Sequence, residues 1–256
     1  LIIAVGYTTV LDVMPDAAQG LWWNVALDLT FAGLLYGLGS FLFVVLLKWL
    51  LIGRYDRKAV PMWTRFVWFS EGVTNLFESI AVPNFLRYLR GTPWLPLAFQ
   101  MLGTRVARGV YMDTTDITEF DCVTLGDHAE LNALTCPQTH LFEDRVMKID
   151  HVHIGQRANL GARSTVLYSA RMEDHSQVGP LTLVMKGESI PARGVWHGVP
   201  ASPVRVAICV SRFPIDAALS LLRFFVLHII VPVTTALGGM MPPEIAWLTA
   251  IARNWA

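Results

Sequence analysis

Residues 154–195 divide without remainder into seven consecutive hexapeptides: IGQRAN, LGARST, VLYSAR, MEDHSQ, VGPLTL, VMKGES and IPARGV. Their first positions are aliphatic throughout: Ile154, Leu160, Val166, Met172, Val178, Val184 and Ile190. Their fifth positions are mostly small (Ala158, Ser164, Ala170, Ser176, Thr182 and Gly194), with Glu188 the exception. Such a period means that each hexapeptide contributes one short strand and one corner, and that three complete a triangular coil. The aliphatic position then points into the prism, and small residues fit where the corner tightens. No single coil buries its own apolar face, so stability comes from stacking. An antiparallel sandwich would show period-two alternation and Asn-Gly-type turns, which are not prominent here. The expected fold is a left-handed parallel β-helix.

Earlier hexad-like pieces, VARGVY from Val106 and LGDHAE from Leu125, place the start of the β-helix near Gly103. The domain is expected over residues 103–205, with residues 132–150 ejected from a coil as a loop and WHGVPA closing the prism at Trp196–Ala201.

The flanks have a different character. Apolar residues make up 54% of the chain and charged ones only 16%, more apolar than an ordinary soluble domain. Residues 29–47 are uncharged throughout and rich in Phe, Leu, Val and Gly, the pattern of a membrane-spanning helix, with Lys48 and Trp49 as its interfacial anchors. A second span is expected at residues 217–237, where Arg223 can snorkel and Pro232 can kink the helix. The run at residues 1–11 is too short to cross a bilayer, and the chain reads as cut from something longer.

The resulting division is transmembrane helices over 1–52, an amphipathic or interfacial linker over 53–102, the β-helix, a second transmembrane helix over 213–240 and a tail over 241–256. Lys48, Arg54, Arg57, Lys58 and Arg65 follow the first span, whereas no Lys or Arg precedes it and the connection before it offers Asp12 and Asp16. The positive-inside rule therefore puts the β-helix on the cytoplasmic side of an integral membrane protein. In the linker, Phe66, Phe69, Val73, Phe77 and Ile80 fall at helical spacing, and a following stretch with Trp94 and Leu97 suits either a membrane surface or a helix packed on the β-helix. Three cysteines without close spacing, Cys122, Cys136 and Cys209, fit free thiols. Twenty Lys and Arg balance twenty Asp and Glu, so no global charge favours nucleic acid as a partner.

The loop NALTCPQTHLFEDRVMKID carries His140 beside Glu143, Asp144 and Arg145, and loops on rigid scaffolds are where functional groups concentrate. A neutral imidazole is matched to removing a proton from an attacking amine near neutral pH, with a carboxylate to orient it. The other reading of His140 is a hydrogen bond that ties the loop to the prism. From Asp113 to Asp150 nine acids stand against Arg145 and Lys148. This surface either recruits a cationic amine or simply keeps the domain solvated; the motif DTTDITEFD at Asp113–Asp121 is the part that favours binding. His151 and His153 alternate along a strand but lack a third ligand at metal spacing, so a surface pair is the simpler reading.

The segments VYMDTTDITEFDCVTLGDHAELN, QTHLFEDRVMK, LVMKGESIP and WHGVPA resemble the C-terminal region of the ε-poly-lysine synthetase type of non-ribosomal peptide synthetase, in which transmembrane helices alternate with hexapeptide-repeat acyltransferase-like domains. The resemblance spans residues 63–201 and implies amide-bond formation between a carrier-bound aminoacyl thioester and an amino acid amine. The matching positions are His140, Glu143, Asp144 and Arg145 in QTHLFEDR and Asp113, Thr114, Thr115, Asp116 and Glu119 in DTTDITEF; from their chemistry we expect His140 as base with Glu143 or Asp144 as its partner, and Asp113, Thr114, Thr115, Asp116, Glu119 and Arg145 as substrate-binding residues. No cofactor is held intrinsically; the acyl donor is a phosphopantetheine thioester on a carrier domain, or alternatively acetyl-CoA. The implied partners are carrier and adenylation domains, the lipid bilayer and a small amine, in a trimer or pseudo-trimer of β-helix units. Two alternatives stay open: a non-catalytic membrane scaffold in the same assembly, and a CoA-dependent acyltransferase.

Overall fold

The structure, a computed structural model, describes residues 19–204. The second span at 217–237, the N-terminal run, Cys209 and the tail lie outside the described residues.

Three sheets of short parallel strands form the faces of a β-helix. On the first face Met172 lies between Ile154 and Ile190, and the ladder continues through Leu125 to Val106. On the second, Leu160 lies between Leu131 and Val178, continued by Met112 and Trp196. On the third, Val166 lies between Pro137 and Val184. Each step up a face is three hexads, and all seven aliphatic first positions are buried. The fourth position of the hexads makes the corner with a left-handed backbone: Arg157, Arg163, Ser169, His175, Leu181 and Arg193 have φ of 50 to 65°. Side chains other than glycine adopt that conformation at a cost. Hydrogen bonds between corners of successive coils oppose it, such as His175 N–H to the Gln156 carbonyl at 2.7 Å and Arg157 N–H to the Asp127 carbonyl at 2.8 Å. At the second position the coils approach closely; a Cβ on Gly161 would lie 2.4 Å from Pro180 N.

Two segments leave this repeat. Residues 113–122 run over the third face of the first coil and end in a 3-10 turn, Phe120–Cys122. The second excursion is narrower than the loop read from the sequence. Cys136–Gln138 stays in the prism as a strand beside Thr165–Leu167, because its Pro137 side chain occupies an inward, buried position. What leaves is an antiparallel hairpin, His140–Glu143 with Val146–Ile149, closed at its root by Asp150 N–H to the Thr139 carbonyl at 3.0 Å. The strand Lys58–Pro61 adds to the free edge of Val146–Ile149 and makes a three-stranded ribbon.

Helix α1 runs from Gln19 to Leu51. Its part Phe31–Leu51 is long and apolar enough to cross a membrane. Of the described residues, those from 40 to 204 belong to one compact unit and the preceding part of α1 to another. Lys48, read as an interfacial anchor, is instead fully buried within the first of these units. The reason is an acceptor, Asp121, placed where the ammonium ends.

Helix α2, Arg65–Leu76, continues through a π turn, Phe77–Ala81. A single turn at Val82–Asn84 and a 3-10 segment at Leu86–Leu89 lead to α3, Trp94–Leu102, which ends at Gly103 with φ of 114°. These helices lie on the first coils, where Phe77, Phe99 and Phe120 make a cluster of edge-to-face and tilted rings. The buried face of α2 is Val67, Ser70 and Val73 rather than the Phe66, Phe69 and Val73 stripe read from apolar spacing. Ser70 takes the inner place because Tyr55 lies 3.1 Å from its hydroxyl, which satisfies the buried oxygen. Phe69 is turned outward.

Candidate active site

The first excursion passes over the root of the hairpin. Thr114 Oγ1 donates to the Thr135 carbonyl at 2.7 Å and holds the start of the excursion to the strand beneath. At its far end Glu119 is completely buried. Its Oε2 lies 2.8 Å from His140 Nδ1 and accepts hydrogen bonds from Thr139 Oγ1 and, at 2.7 Å, from Thr118 Oγ1. The partner of the His140 ring is therefore Glu119, not Glu143 or Asp144.

Two opposing influences act on each member of the pair. Burial disfavours the imidazolium of His140, but the hydrogen bond and charge of Glu119, with a lesser effect of Glu71, outweigh it and raise its pKa above the usual 6.5. Burial likewise disfavours the Glu119 carboxylate, and the bonds from His140, Thr139 and Thr118 reverse that and hold its pKa below the usual value. With Nδ1–H directed at Glu119, the opposite nitrogen Nε2 is the one left to exchange a proton with a substrate. Phe142 stands edge-on to the ring, with centroids 5.3 Å apart.

Glu71, on α2, was not among the residues picked out from the sequence. Partial burial raises its pKa; the charge of His140 opposes this, while Glu119 and Glu78 add to it. Glu71 thus lies in the electrostatic field of the His140–Glu119 pair, and Asp116, Glu119 and Glu78 act together on Cys136.

The other sequence-selected residues lie apart from the ring. Glu143 accepts from Lys186 and, at 2.9 Å, from Lys148, which draw its pKa down to about 2. This fastens the outer part of the hairpin to the prism. Asp144 and Arg145 form the hairpin turn, both exposed with left-handed backbones. Asp113 faces Arg90, which donates to its backbone carbonyl at 3.0 Å. Thr115 is buried, and Asp116 is exposed with its N–H on Thr114 Oγ1 at 3.2 Å. Among the described residues no group of three or more metal-ligating side chains comes together.

Solved structures similar to this chain include acetyltransferases of the hexapeptide type. A maltose O-acetyltransferase from Clostridium difficile 630 aligns over 58% of this chain and 91% of its own, at 13% identity and a TM-score of 0.37. A hexapeptide-repeat-containing acetyltransferase from Vibrio cholerae aligns over 44% and 78%, at 12% identity and a TM-score of 0.37. No protein-family profile matches the chain. In sequence it is 57% identical over 203 residues, 79% of its length, to delta-poly-L-ornithine synthetase of Acinetobacter baumannii (strain AB307-0294). The chain spans 15% of that protein's length. The likeness is thus to a poly-amino-acid synthetase.

Proposed function

We propose that this unit transfers an acyl group from a thioester to an amine, with His140 as the general base and Glu119 as the carboxylate that orients it. The observation that carries the reading is the 2.8 Å contact between His140 Nδ1 and a buried Glu119 held by two threonine hydroxyls. A base oriented in this way leaves Nε2 to act on the substrate. The acceptor ammonium first releases one proton to water; its neutral nitrogen then forms a bond to the thioester carbonyl carbon while Nε2 takes a second proton. The carbon–sulfur bond then breaks, and the imidazolium returns the proton to the departing thiolate. Amide and thiol are the products. Glu71 and Glu119 act on the ring, and Glu78 and Asp116 act on Cys136; acids so placed favour a cationic amine, which supports an amino acid with a side-chain ammonium as the acceptor. Poly-ornithine synthesis by the similar protein agrees with that chemistry.

In this reading the acyl donor is a phosphopantetheine thioester, presented by carrier and adenylation domains of a longer non-ribosomal peptide synthetase. Helix α1 crosses the bacterial cell membrane and holds the β-helix on its cytoplasmic side. Assembly as a trimer or pseudo-trimer of such units is part of the same proposal.

The test uses the full-length protein in membranes, given an aminoacyl carrier and free ornithine, with His140→Ala and Glu119→Gln variants of matched folding. Loss of product in both supports the pair as the chemical centre. Undiminished product in His140→Ala overturns it and leaves the unit a scaffold. Product formed from acetyl-CoA, with none from the carrier, replaces the donor.

A further inference from the structure

Helix α3 has two apolar faces. Leu95, Ala98, Phe99 and Leu102 are packed against the first coils, whereas Trp94, Leu97 and Met101 are 44%, 49% and 46% exposed. These three fall on one side of the helix at spacings of three and four residues, so the outward face is a stripe and not scattered side chains. The stripe meets the exposed side of α1: Trp49 Nε1 donates to the Met101 carbonyl at 2.9 Å, and Leu46 and Leu50 lie on the turns beside Trp49. An indole at the end of an apolar helix, with its polar atom bonded, is the chemistry of the level where acyl chains meet headgroups.

The chain on either side of this surface is basic. Residues 54–108 carry eight Lys and Arg against Asp56, Glu71 and Glu78, and of these bases Arg57, Arg90 and Arg108 are paired with Asp150, Asp113 and Asp127. Arg54, which follows α1, and Arg87 and Arg105, which precede and follow α3, are exposed. Exposed arginines flanking an apolar stripe complement anionic lipid.

We infer that the outward face of α3, with the end of α1, docks in the headgroup layer of an anionic bilayer and holds the hexapeptide prism at the membrane surface. The inference rests on α1 entering the bilayer, as proposed above, and specifies a second contact that a span alone does not require. Both contacts together fix the tilt of the prism.

The experiment places a nitroxide on Leu97→Cys in the full chain, in a background with Cys136 and Cys209 changed to Ser, reconstituted in vesicles containing phosphatidylglycerol. Access of the label to oxygen and to a water-soluble nickel chelate is measured. Labels at Leu46 and at Leu181, an exposed leucine of the prism, mark lipid and water. The expected result is loss of nickel access at position 97 with gain of oxygen access, and the reverse at 181. Nickel access at 97 equal to that at 181 overturns the docking, whatever Leu46 reports; nickel access at Leu46 overturns the span itself. Shielding from both reagents at 97 means that protein covers the stripe, a second copy or another segment of this chain, and also overturns it. Equal depth in phosphatidylcholine vesicles overturns the anionic preference. A label at Met101→Cys repeats the measurement should Leu97→Cys misfold.

Discussion

Lys48 Nζ lies 2.6 Å from Asp121 Oδ2, with both side chains buried. Asp121 Oδ2 also accepts the Tyr55 N–H at 3.1 Å, and Lys48 sits 3.6 Å over the Trp49 ring. The end of an apolar helix is thereby tied to the 3-10 turn that follows Glu119. Removing one partner strands the other charge in the interior, which costs about 3–5 kcal/mol, whereas removing both is far milder. Lys48→Met is expected to lower the thermal unfolding midpoint markedly, and adding Asp121→Asn to recover part of the loss. Independent, additive losses in a double-mutant cycle would show that the pair does not couple the two elements.

The proposed base makes a pH prediction. Activity rises as the His140 imidazole loses its proton, and its pKa is raised by Glu119, so the acid limb of kcat lies above 6.5. Glu119→Gln removes the carboxylate that favours the imidazolium and moves that limb to lower pH, with a reduced plateau. His140→Ala loses roughly 10²–10⁴-fold in kcat. Glu143→Gln leaves the limb in place, since Glu143 bonds Lys148 and Lys186 rather than the ring. A limb that moves in Glu143→Gln and stays in Glu119→Gln would reverse the assignment.

Linkage ties the same pair to stability. The lowered pKa of Glu119 contributes stability that is present above its ordinary value of 4.5 and lost as pH falls through the folded value. The raised pKa of His140 contributes stability that is present below 6.5 and lost as pH rises through the folded value. The two overlap fully from 4.5 to 6.5. The difference in unfolding midpoint between the natural protein and Glu119→Gln is expected to be largest in that window and to shrink on either side.

The close approach of coils at Gly161 gives a prediction without titration. Gly161→Ala puts a methyl group against the Pro180 backbone nitrogen, and overpacking of this kind costs about 1–3 kcal/mol. Denaturant unfolding measures it; an unchanged midpoint would mean that the coils can part without penalty.

The β-helix was legible because its period forces one aliphatic residue inward at every sixth position, a local signal that stacking merely repeats. His140 stood out for its chemistry. Its partner did not, because the contact with Glu119 depends on one excursion crossing the root of another, and no spacing in the chain encodes that crossing. The sequence marks Glu119 only as an acid to hold a substrate ammonium, and proximity along the chain points to the nearer acids Glu143 and Asp144 as the partners of the ring. In the structure the hairpin carries them away from it. Lys48 was misread for a similar reason: a lysine closing an apolar run looks the same whether it reaches water or a buried carboxylate. A sharper signal was present in Asp121, an acid set between Phe120 and Cys122, where a buried turn demands a counter-charge.

The ribbon formed by Lys58–Pro61 and the hairpin bears on how the prism can be dissected. The strand Val146–Ile149 has partners on both sides only while the segment leaving α1 is present. A fragment begun after Met62 would bare a row of unpaired amides and carbonyls on that strand, with Met147 and Ile149, now buried, beside them. Open strands of this kind recruit other chains, so the isolated β-helix is a poorer object for solution work than the same β-helix kept with its helical shelf.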